Sequence, residues 1–121
     1  MDIDSILEST KDMLHIPEDL VDWDHALINH INVALFSMDQ LGVGPVGGFV
    51  VDKNSTWTEY FAGQVPLVQV KTYVYSKVRL SFDPPTTSHL LEALKASIAE
   101  LEWRLNVQVD RWVPYESSDD G

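Results

Sequence analysis

Apolar residues recur along most of the chain at helical spacing, with one glycine-rich interruption. The clearest run lies at 22–41, where Leu27, Ile31, Ala34, Met38 and Leu41 step by 4, 3, 4 and 3. That is the seam of a helix with one buried face. Trp23, Ile28 and Leu35 widen it, Asp22 or Asp24 can cap its start, and Gly42 stands where a helix ends in a left-handed residue. A second long helix is predicted over 66–82, with Pro66 in its first turn and Leu67, Val70, Val74, Val78 and Phe82 facing inward. Its β-branched residues also suit a strand, but its length and spacing favour helix. Lys71 falls close to its apolar face and either snorkels or pairs with a neighbouring acid. Asp83-Pro84-Pro85 breaks the chain. A last helix is predicted over 87–105, capped by Thr86 or Thr87 and carrying Leu90 or Leu91, Leu94, Ile98, Leu101 and Leu105. Glu100 and Arg104 form a favourably oriented i,i+4 pair on it. Two long helices joined by a tight turn predict an antiparallel αα-hairpin.

The remaining segments are less regular. Ser5 and Glu8 can form a capping box for a short N-terminal helix bearing Ile3, Ile6, Leu7, Thr10, Met13 and Leu14, with Pro17 ending that unit or opening the next turn. Within 42–64, glycines cluster around Pro45, Phe49-Val50-Val51 is β-prone, Asp52–Ser55 reads as a turn, and Trp57, Tyr60 and Phe61 suit one or two helical turns. Residues 107–115 carry Val107, Val109, Trp112, Val113 and Tyr115, and 116–121 read as disordered. The expected fold is mainly α: a small bundle of about four helices with a short β-arm or hairpin loop and an extended C-terminal tail. The expected division is a helical domain over 1–106 and an extended or partly disordered tail over 107–121.

Composition narrows the function. A chain of 121 residues, 45% hydrophobic, can build one core unaided. The absence of cysteine excludes disulfides, thiolate nucleophiles and cysteine-based zinc sites. Nineteen acids against eight bases give a net charge of −11, with eight acids in the first 24 residues. Such a surface repels phosphate, which excludes a nucleic-acid-binding footprint. The acidic start is not a secretory leader, and no apolar run approaches the ~18 residues of a membrane helix.

No residue pattern points to catalysis or a cofactor. Gly42-Val43-Gly44-Pro45-Val46-Gly47 matches GxGxxG in letters, but a helix precedes it, and Pro45 removes an N–H that a phosphate would need. His25 and His30 are five apart rather than four, and neither they nor His15 and His89 sit in a metal motif. There is no nucleophile elbow and no P-loop lysine. Lys71, Lys77 and Arg79 spread around their helix at about 100° per residue. Large apolar residues near a frayed end, and a glycine-rich loop, are instead what a protein partner grips. The candidate interface residues are Gly44, Phe49, Trp57, Trp112 and Tyr115.

Several stretches, in this order, carry a family resemblance: His30-Ile31-Asn32, Gln40-Leu41-Gly42-Val43-Gly44-Pro45, Trp57, Phe82-Asp83-Pro84-Pro85, and Glu100-Leu101-Glu102-Trp103-Arg104-Leu105-Asn106. Together, over residues 3–106, they resemble the head–tail connector (adaptor) proteins of tailed bacteriophages. The resemblance implies a virion protein at the neck, assembled in the host bacterial cytoplasm. It would form a dodecameric ring beneath the portal protein, extend the DNA channel, and dock a stopper or tail-completion protein. It implies no enzyme activity, no cofactor, no metal and no membrane, and genome DNA would pass through without specific binding. The C-terminal segment would reach the portal or a neighbouring copy. The charge alone leaves a second reading open, a free acidic protein-binding module such as a DNA mimic.

Overall fold

The seam at 22–41 forms helix α2 (Asp24–Gln40) in a computed structural model that describes residues 4–45, 48–61 and 68–112, with side chains as far as Val107. The other helices among these residues are α1 (Ile6–Met13), α3 (Trp57–Phe61), α4 (Val68–Phe82) and α5 (Ser88–Trp112). The mainly helical bundle expected from the sequence is therefore formed. Helix α4 is its centre, packing on α2 and on α5, while α1 closes against α2 and α4. Leu27, Ile31, Ala34 and Met38 on α2 and Val70, Tyr73, Val74 and Val78 on α4 share one core cluster, to which Ile6, Leu7, Trp57, Ile98 and Leu105 also belong. Each large aliphatic side chain buried there contributes ~1.5–3 kcal/mol. Tyr73 bonds Glu102, and Arg79 lies beside Leu90 and Leu94, so α4 and α5 run antiparallel across Asp83-Pro84-Pro85.

Two helices end by the same device. Gly42, at φ 88°, donates its N–H to Asp39 O (3.0 Å), and Val43 donates to Met38 O (3.0 Å). This satisfies orphan carbonyls of α2 and turns Val43 into the core. Helix α1 closes alike, with His15 N–H on Asp12 O (3.1 Å) and Ile16 N–H on Lys11 O (2.9 Å). Its left-handed residue is His15, at φ 62°, not a glycine, so that turn carries a conformational cost of roughly 1–2 kcal/mol. The first unit thus ends before Pro17, which opens the next turn, its carbonyl accepting from Leu20 N–H (3.1 Å).

Two expectations change. Phe49-Val50-Val51 has no strand to pair with among the described residues. Instead, the Asn32 side chain imitates one, donating to Val51 O (3.2 Å) and accepting from Val51 N–H (2.7 Å). Among the described residues the one β-type pairing is an isolated antiparallel bridge between Ser5 and Thr56. The last helix runs to Trp112 rather than 105, so residues 107–112 are helical and not an extended tail. Nothing between 105 and 112 breaks a helix; the first residue biased out of it is Val113, which precedes Pro114. The rest of the expected tail, 113–121, lies outside the described residues.

Candidate interaction surface

The N-terminal acidic segment is shaped by one base. Lys11 is fully buried, and its ammonium donates to Glu18 O (3.1 Å), Leu20 O (2.8 Å) and Asp24 Oδ1 (2.8 Å). Three donors meet three acceptors, which is the condition for tolerating a buried lysine. The chain between α1 and α2 is therefore folded back over Lys11, leaving Asp19, Val21 and Asp22 exposed on its outside.

The glycine-rich segment rests on an aromatic cluster. Tyr60 packs edge-on against Phe49 (5.4 Å), Trp57 (6.0 Å) and Phe61 (5.3 Å). Its hydroxyl is buried and has no hydrogen-bond partner among the described residues. Burial, with a further push from the Asp39 carboxylate, raises its pKa well above the ordinary tyrosine value. Gly44 sits over that hydroxyl at φ +110°, where an added Cβ would lie 2.6 Å from the oxygen. Tyr60→Phe is accordingly expected to leave stability unchanged or raise it by about 1 kcal/mol, since it removes an unsatisfied group. Gly44→Ala is expected to cost about 2–4 kcal/mol through backbone strain and overpacking. Urea unfolding should show part of that loss recovered in the Tyr60→Phe background. Equal costs in both backgrounds would mean that the hydroxyl does not fill the space.

The segments that carried the family resemblance meet as joints between elements. His30 lies edge-on to Phe82 (5.9 Å), which also meets Trp23 (5.7 Å). Asn32 clamps Val51, as above. Glu102 accepts from the Tyr73 hydroxyl (2.8 Å), and Asn106 Nδ2 donates to Leu41 O (3.5 Å). Burial first, then the hydrogen bond to Glu102 and its charge, raise the Tyr73 pKa above the ordinary range, against a lowering hydrogen bond from Ser37. Arg104 pairs with Glu100 as the i,i+4 spacing predicts.

Of the candidate interface residues, Gly44, Phe49 and Trp57 gather around Tyr60 rather than facing solvent together. Trp57 is a core residue, 3% exposed, with its indole N–H on Ser9 Oγ (2.9 Å). Gly44 and Phe49 are half-buried over Tyr60. Trp112 ends α5, beyond the described side chains, and Tyr115 lies outside the described residues. The apolar residues that do face solvent are others. Val33, Phe36 and Val50 are 54%, 62% and 84% exposed. Phe36 and Val50 flank a cleft of about 380 Å³ that Asn32, Asp39 and Phe49 also line. Trp103 (66%) and Val107 (50%) stand together on α5. The signal for Val33 and Phe36 was present, because both are apolar positions off the α2 seam. Trp103 lies in the Glu100–Asn106 stretch that carries the family resemblance.

His15, His25 and His89 are exposed, and His30 packs on Phe82. Among the described residues no group of three or more His, Cys, Asp or Glu side chains could hold a metal ion, and no helix is long and apolar enough to cross a membrane. Helices pinned at their joints, with separate apolar patches left facing outward, define a structural assembly module. The chain belongs to the phage connector protein family, whose profile matches residues 6–112. That membership carries a structural role in the virion. No curated protein and no solved structure matches the chain.

Proposed function

We propose that the chain forms an oligomeric ring at the virion neck, between the portal and the tail, extending the DNA channel and docking the next neck protein. The family match over residues 6–112 carries this reading. Charge and surface support it. With a net charge of −11, a channel lining would repel the phosphates passing through it rather than bind them. Exposed apolar patches on α2 and α5 supply subunit contacts. A head-to-tail interface gives a ring when its rotation closes, here on the twelvefold symmetry expected of a portal, whereas a twofold interface does not. Trp112 and Tyr115, at and beyond the end of α5, are assigned to the portal or a neighbouring copy. Electron microscopy of the full chain with its cognate portal, and of purified virions, tests this. The expected result is a ring under the portal at the neck. A chain that neither binds the portal nor occurs in the virion overturns it, whatever its state alone in solution.

A further inference from the structure

Arg79 is the anomaly among the buried and half-buried cations of the described residues. Lys11, Lys95 and Arg104 pair with Asp24, Glu92 and Glu100, and Lys71 and Lys77 lie over the rings of Trp57 and Tyr73. Arg79 is half-buried on α4 and has no carboxylate partner among the described residues. Its Nη1 reaches the Tyr75 hydroxyl only at 3.4 Å, and its Nε is buried without an acceptor. A guanidinium Nε withdrawn from water without an acceptor carries a desolvation cost that a carboxylate offsets, and the planar fork suits a carboxylate. It borders a cavity of about 270 Å³ at the α4–α5 turn, walled by Tyr75, Pro85, Leu90 and Leu94. The site fits a carboxylate next to an aliphatic side chain.

We propose that this pocket receives the acidic loop of a second copy of this chain, with Asp19 or Asp22 on Arg79 and Val21 against Leu90. The loop has the matching chemistry: Val21 is 60% exposed between these exposed acids. It is also pre-organised, because Lys11 holds the carbonyls of Glu18 and Leu20 and the Asp24 carboxylate from beneath. Pre-organisation lowers the ordering cost of binding. Two copies at −11 each repel, so a contact that sets an unpaired base against an acidic loop offsets that repulsion where other pairings add to it. Pocket and loop are different surfaces, so the contact is head-to-tail. The inference rests on the ring reading for that geometry, which needs two unlike faces on each copy.

The chain has no cysteine, which makes disulfide trapping clean. Val21→Cys and Leu90→Cys in one full-length chain should give a ladder of cross-linked multimers under mild oxidation, both in concentrated solution and in virions. A mixture of the two single variants should give one heterodimer, and a Val21→Cys, Val68→Cys chain should give no ladder. Arg79→Glu should reduce the cross-link at least about tenfold, and Asp19→Lys with Asp22→Lys should restore it. Arg79→Gln replaces Arg79→Glu if the latter does not melt cooperatively. The proposal is overturned if Val21→Cys alone cross-links as well as the mixture, if Arg79 variants leave the yield unchanged, or if no cross-link forms in either setting. A chain present in virions without the cross-link removes this contact and leaves the ring. A ladder from a chain absent from virions removes the neck assignment and leaves the contact.

Discussion

Replacing Lys11 by methionine is expected to lower the unfolding free energy by about 3 kcal/mol or more. The stem is not the issue, since methionine fills a similar apolar path. The loss is the ammonium, which leaves the Glu18 and Leu20 carbonyls and the Asp24 carboxylate without their donor. Asp24 is 23% exposed and regains some water, which places the cost toward the lower end of what a broken buried pair loses. The melting temperature should fall by roughly 10 °C for a domain of this size. Asp24→Asn should cost less, because two of the three acceptors remain. The double change should cost less than the sum, since both partners of one pair are then gone. Urea titration of the four proteins measures this. A Lys11→Met chain as stable as the parent would mean that the ammonium reaches solvent and the loop is not held by it.

Trp57→Ala is the other large effect, expected at about 3–5 kcal/mol. The indole is 3% exposed, stacks on Phe61 at 6.0 Å, meets Tyr60 edge-on, and donates to Ser9 Oγ. The Lys71 ammonium lies 5.7 Å above its ring, covering its outer side. Truncation therefore opens a cavity between α1 and α3 and removes the hydrogen bond that ties them. Trp57→Phe keeps most of the packing and should cost about 1–2 kcal/mol for the lost donor and volume. Denaturant unfolding and neck assembly should be read on the same variants. If Trp57→Ala leaves stability untouched and weakens only docking, the residue faces a partner and its burial in the free chain is misleading.

The helices were legible because their seams are long and their stops are chemical. Leu27 to Met38 on α2, Val70 to Val78 on α4, and the Gly42 cap follow from spacing and one residue's backbone freedom. Ser5 is the N-cap that its position suggested, accepting from Glu8 N–H. The misreadings share a cause: each depended on what a segment meets elsewhere. Phe49–Val51 has β-prone letters but only Asn32 to bond, so no strand forms. Nothing near Lys11 in sequence marks it for burial, and the return of residues 18–24 is what buries it. Trp57 looks like an anchor because it sits beside a loop, but α1 supplies its pocket. Periodicity could mark Val33 and Phe36 as apolar residues off the seam. It could not say which partner, if any, they face.

The bridge between Ser5 and Thr56 also bears on the order in which the chain assembles. Ile6 N–H and Trp57 N–H bond Ser55 O and Asp4 O, and the Trp57–Ser9 pair spans 48 positions. Closing a loop that long costs about 3–4 kcal/mol in chain entropy before any contact offsets it. The α4–α5 hairpin closes over a few residues and has no such delay. Helix α1 meets residues 18–24 through Lys11 and packs on α2 over short separations, but its tie to α3 waits for that long closure. Helix α1 is thus seated by near neighbours and latched by a distant one.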